Sequence, residues 1–141
     1  MPTTTFIEWK HHYSVGSDEL DADHRRIVAI INDLHNSIRD QSPEATLQST
    51  LVRLFDYTQT HFTREERVMQ EHQYPDLPKH RAAHSRLTQR TRELLTRCLH
   101  EESDTGVEAM TFLKDWWIDH ILVMDSQYKP YILGEPIKSQ T

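Results

Sequence analysis

The sequence predicts an all-α fold, an up-down-up-down antiparallel four-helix bundle with an N-terminal arm. Three observations predict it. Only three Gly and six Pro interrupt the 141 residues, so long helices are favoured over strands and turns. Four stretches carry apolar residues three or four apart, the period of a helix with one buried face. The links between those stretches are short, so consecutive helices run antiparallel. The length suits one core, and residues 1–141 read as a single domain.

Residues 1–17 read as an irregular arm, anchored by Trp9 and Tyr13 and ended by Gly16. His11 and His12 read as a solvated pair. The first helix spans about 18–38. Ser17 is placed to cap it, and Asp18, Glu19 and Asp21 suit the positive end of its dipole. Its inward stripe is His24, Ile27/Val28, Ile31, Leu34 and Ile38.

The second helix, about 43–72, opens on Ser42-Pro43-Glu44, with serine as cap and proline at the first helical position. Its stripe is Leu47, Leu51, Leu54, Thr58, His61, Glu65 and Val68/Met69, a seam that exchanges leucine for polar groups near its end. Tyr74-Pro75 stops it. The third helix, about 78–100, turns His80, His84, Leu87, Thr91, Leu94/Leu95 and Cys98 inward. The fourth, about 107–128, turns in Met110, Leu113, Trp116/Trp117, His120 and Met124 or Asp125. Pro130 and Gly134 are expected to close it, leaving 129–141 as a tail.

Composition narrows the function. A net charge of −6 argues against a nucleic-acid footprint, which needs a basic face. No apolar run approaches the roughly 20 residues that span a bilayer. The N-terminus lacks the basic start and apolar core of an export signal, so a cytoplasmic location is expected. The single Cys98 excludes an intramolecular disulfide and a multi-thiolate metal site.

Ten histidines are the compositional outlier. His24 lies early in the first helix, His61 and Glu65 late in the second, His80 and His84 early in the third, His120 and Asp125 late in the fourth. In an antiparallel bundle all seven fall at one end. Residues four apart lie about 40° apart around a helix, so each such pair can reach one point. Burying seven polar groups together without a metal is costly. His35, His72 and His100 read instead as solvent-facing or helix-end residues.

Imidazole with carboxylate suits iron, and also manganese or zinc. The set is too large for one ion. If Glu65 and Asp125 each bridge two ions and solvent supplies a shared oxygen, one position stays open, on the ion with fewer histidines. One spacing fits badly: His120 and Asp125 are five apart, about 140° around a regular helix. Either the helix is locally widened there or the aspartate reaches across from the flank of the bundle.

His24, His61-x3-Glu65, His80-x3-His84 and His120-x4-Asp125 resemble the ligand set of the hemerythrins. The resemblance, closest to the prokaryotic branch, also covers Leu20-Asp21-Ala22-Asp23-His24, His61-Phe62 with Glu65-Glu66, Tyr74-Pro75 ahead of His80, and Tyr128. It runs from about Trp9 to Tyr128. It implies two iron ions, one held by His80, His84 and His120 and the other by His24 and His61. Glu65, Asp125 and a solvent-derived oxo or hydroxo group would bridge them. It further implies reversible dioxygen binding at the two-histidine iron, serving oxygen storage, delivery or scavenging rather than catalysis. That reading leaves room for an oxygen-consuming protein partner. The competing functions are an oxygen- or redox-sensing module, a di-iron oxidase or peroxide or nitric-oxide reductase, and iron storage.

Phe62, Trp116, Trp117, Ile121 and Tyr128 are expected to wall the ligand pocket. Two positions depart from the family pattern. Asp23 stands where relatives often have glutamine, which alters the charge beside the site. Trp117 stands where many relatives carry the leucine that shields the pocket.

Overall fold

The structure, a computed structural model, describes residues 7–41, 43–100, 105–116, 120 and 123–134; the side chains of His12, Glu44, Thr105, Val107 and Met110 lie outside the described set. Four long helices follow one another: α1 (Asp18–Arg39), α2 (Glu44–Glu71), α3 (Leu77–Leu99) and α4 (Thr105–Trp116). Each packs on its sequence neighbour, and α1 packs on α4 to close the ring. This is the four-helix bundle expected, and no strand occurs among the described residues.

The starts and stops have local causes. Ser17 caps α1 by accepting the Leu20 amide at 3.2 Å, and Asp18, Glu19 and Asp21 fill the first turn. Pro43 stands just before α2, and its carbonyl accepts the amides of Thr46 and Leu47. Ser42, the expected cap, lies outside the described residues. Gln73 takes a left-handed φ of 55°, which turns the chain out of α2, and Pro78 sits in the first turn of α3.

The arm is tied down. The Ile7 amide donates to Asn32 Oδ1 at 2.8 Å, and Asn32 Nδ2 donates back to the Ile7 carbonyl at 2.8 Å. Trp9 and Tyr13 pack on the core and meet each other edge-to-face, with Arg25 over the indole at 5.1 Å. Both act as the anchors expected. His11 to Tyr13 form one 3₁₀ turn, and His11 is exposed.

The fourth segment departs from expectation. The described part of α4 reaches Trp116, π-type turns occur at His120, Val123 and Met124, and Asp125–Tyr128 tighten into a 3₁₀ turn. Pro130 does not end the helix. It sits in the first turn of a short α5 (Lys129–Leu133), where a missing amide costs nothing. The expected tail from 129 therefore begins as helix, and the stop is Gly134 at φ 66°.

Two apolar clusters make the core. The larger joins Ile27, Ile31, Leu34, Leu51, Leu54, Leu113 and Trp116 along the bundle. The smaller joins Val15, Leu20, Met69, Tyr74, Leu77 and Tyr128 at one end, with Tyr131 and Ile132 of α5 against it. Phe62 of the larger cluster and Tyr128 of the smaller both touch the polar cluster described next, which therefore lies between them.

Candidate metal centre

The apolar stripes of α1, α2 and α3 carry their polar members into the same interior. His24, His61, Glu65, His80, His84, His120 and Asp125 are all buried, none more than 5% exposed. Glu65 lies at their centre. Its Oε1 is 2.9 Å from both His80 Nε2 and His84 Nε2 and 4.0 Å from His120 Nε2. Its Oε2 is 3.0 Å from His61 Nε2 and 3.4 Å from His24 Nε2.

Asp125 divides in the same way. Oδ1 is 2.9 Å from His80 Nε2 and 3.2 Å from His120 Nε2, whereas Oδ2 is 3.2 Å from His24 Nε2. Each carboxylate thus turns one oxygen to His80, His84 or His120 and the other to His24 or His61. Two sets of donor atoms, Glu65-His80-His84-His120 and His24-His61-Glu65-Asp125, each converge within 4.8 Å.

The π-type turn explains how Asp125 joins. Hydrogen bonds that close at i→i+5 bring residues five apart close to one face. Of the two routes open for the His120–Asp125 spacing, the widened helix is the one observed.

The protein alone does not satisfy these groups. His120 Nε2 and both Asp125 oxygens are buried without an aligned hydrogen bond among the described residues. His24 Nε2 and His61 Nε2 face each other at 3.1 Å, where one proton at most can lie between them. Buried polar atoms left so are costly. Cations between the opposed donors would satisfy them, and nitrogen and oxygen donors without thiolate suit iron. The residues fit a pair of ions.

Electrostatics agree. Burial pushes His24, His61 and His80 down, but the carboxylates facing them push harder the other way, taking His61 to about 9 and His80 to about 10 and raising His24. Burial holds His120 down to about 4. Burial also works against ionising Glu65 and Asp125, yet the surrounding imidazoles hold both below the usual carboxylate range. Without metal, imidazoles held protonated thus face carboxylates held ionised.

A surrounding layer orients the imidazoles. His61 Nδ1 donates to Asp23 Oδ2 at 3.0 Å, and Asp23 Oδ1 accepts from Tyr57 Oη at 2.8 Å and Arg64 Nη1 at 2.9 Å. His84 Nδ1 donates to Glu66 Oε2 at 2.8 Å. Tyr128 Oη donates to Glu65 Oε2 at 3.0 Å. Outer partners of this kind fix which ring nitrogen faces a metal. Sequence reasoning missed the roles of Tyr57, Arg64 and Glu66. The available signal was an acidic residue next to a ligand candidate in sequence, Asp23 beside His24 and Glu66 beside Glu65.

Of the expected pocket walls, Phe62 stacks on His84 at 3.9 Å and 10°, Trp116 stacks near His120 at 6.3 Å, and Tyr128 lies 5.7 Å from His80. Trp117 and Ile121 lie outside the described residues. A crevice of about 280 Å³, lined by Leu87, Phe112, Trp116 and Met124, opens beside His120. His72 and His100 are exposed, and His35 is half-buried.

Comparison with known proteins gives the same picture. The Hemerythrin HHE cation binding domain family matches residues 15–132. The bacteriohemerythrin of Stenotrophomonas maltophilia (strain R551-3) is 32% identical over 122 residues, 86% of this chain and 78% of that one. A hemerythrin-like protein of Naegleria gruberi is 27% identical over 123 residues, 87% of this chain and 91% of that one. The crystal structure of wild-type hemerythrin superposes with a TM-score of 0.82 at 26% identity, covering 90% of this chain and 98% of that one. With its bundle, its cluster of five histidines and two carboxylates, and these likenesses, this chain belongs to the hemerythrin family, whose members hold a di-iron centre.

Proposed function

We propose that this chain is a single domain that binds dioxygen reversibly at two iron ions, for oxygen storage, delivery or scavenging in the cytoplasm. His80, His84 and His120 would hold one ion and His24 and His61 the other, with Glu65 and Asp125 shared. The observation that carries the reading is the way both carboxylates divide their oxygens between the same two groups of histidines. A pair of ferrous ions bound there would supply the two electrons that reversible dioxygen binding needs.

The chain's own part is positioning and exclusion. Tyr128 holds the Glu65 carboxylate in orientation through its hydroxyl. Phe62 and Trp116 cover the three-histidine side with apolar surface, which keeps water from the cluster. No helix among the described residues is long and apolar enough to cross a membrane.

The test is anaerobic reduction of the iron-loaded protein, admission of oxygen, and its removal, followed by absorption. A charge-transfer band that appears and disappears over repeated cycles is expected. Irreversible oxidation in the first cycle with release of a reduced oxygen product would replace this reading with a di-iron oxidase.

A further inference from the structure

The layer around the cluster is not symmetric. On the His84 side the outer partner is Glu66, which is 25% exposed and shared with Arg81. His80 Nδ1 is buried with no partner among the described residues. On the His61 side the partner is Asp23, only 1% exposed. Asp23 belongs to α1 and His61 to α2, so their 3.0 Å contact also ties two helices across the cluster.

We propose that Asp23 is a positioning residue for the metal held by His24 and His61. A carboxylate only accepts, so His61 Nδ1 keeps its proton against Asp23, and Nε2, which faces Glu65 and His24, is the nitrogen left for a metal. The buried negative charge pulls on that proton and makes His61 a stronger donor. It therefore favours the more oxidised state of the two-histidine metal. Tyr57 and Arg64 draw charge away from Asp23 at 2.8 and 2.9 Å, and so moderate the effect. This inference rests on the two-ion reading above.

The sign of the effect provides the test. The iron-loaded full chain is compared with Asp23→Asn and Tyr57→Phe for midpoint potential by anaerobic titration, with helicity checked by circular dichroism. Zinc affinity of the metal-free protein is measured separately by chelator competition. Asp23→Asn removes the charge, so its midpoint potential rises, and its affinity for one zinc ion falls roughly 10- to 100-fold. Tyr57→Phe leaves Asp23 less neutralised, so its midpoint potential falls. A purely structural role would lower the melting temperature of both variants and move neither potential. Unchanged potentials in folded variants, or shifts of the same sign, overturn the proposal. Should Asp23→Asn fail to fold, Tyr57→Phe and Arg64→Gln decide alone, and absence of a downward shift in both overturns it. A wild-type chain that takes up fewer than two ions overturns instead the reading on which the proposal rests.

Discussion

At the scale of single residues, Glu65 has no substitute. Its two oxygens face four imidazole nitrogens within 3.4 Å, so exchanging one oxygen for an amide turns a donor toward donors. Glu65→Gln is expected to bind fewer than two zinc ions per chain, by equilibrium dialysis and metal analysis. Two ions retained would show that Asp125 alone can join the halves. Tyr128→Phe is a milder change. It leaves one buried carboxylate oxygen short of a hydrogen bond and is expected to cost about 1–3 kcal/mol in denaturant unfolding with metal content intact. Loss of metal in that variant would make Tyr128 part of the binding set. Six of the seven histidines and carboxylates were legible in the helical spacing, which converts directly into a shared face, whereas Asp125, five residues from His120, rested on the resemblance. The Asp23–Tyr57–Arg64 network was not, since Asp23 and Tyr57 meet only when α1 and α2 pack, 34 positions apart in the chain.

At the scale of elements, the ends of the chain carry the departures from regular helix. The α1, α2 and α3 boundaries follow caps and prolines visible in the sequence and fall within a residue or so of expectation. The widening at His120, Val123 and Met124 was foreshadowed only by the five-residue step from His120 to Asp125, which a regular helix cannot use. Pro130 misled because proline stops a helix interior yet suits a first turn, and only the preceding 3₁₀ turn decides which applies. Gly16 holds the arm against α5. Its φ is +87°, and a Cβ there would lie 2.9 Å from Leu133 Cδ2. Gly134, at φ +66°, has open space around it. Gly16→Ala is therefore expected to destabilise by about 1–3 kcal/mol, and Gly134→Ala by less, in parallel urea titrations. Equal costs would mean that backbone strain alone sets both, with no part for the Leu133 contact.

At the scale of the whole molecule, the cluster links folding to metal and to pH. His61 and His80 rise to about 9 and about 10 in the metal-free chain, above their unfolded value of about 6.5. A group raised on folding stabilises fully below its unfolded pKa and loses that contribution as pH climbs through its folded one. The metal-free melting temperature is thus expected to fall between about pH 6.5 and 10. His120, held down to about 4, is neutral throughout that window and does not oppose the trend. Metal ligation needs the same imidazoles deprotonated, so loading releases protons and strengthens over the same range. Scanning calorimetry of both forms checks the opposed slopes. A metal-free protein that grows more stable toward pH 10 would contradict the pairing of protonated imidazoles with carboxylates.

The central claim is that two metal ions share Glu65 and Asp125. Anaerobic titration of the metal-free chain with ferrous iron, followed by metal analysis after gel filtration, tests it most directly. The account predicts saturation at two irons per chain in the wild type. Saturation at one, or retention of none, would contradict it.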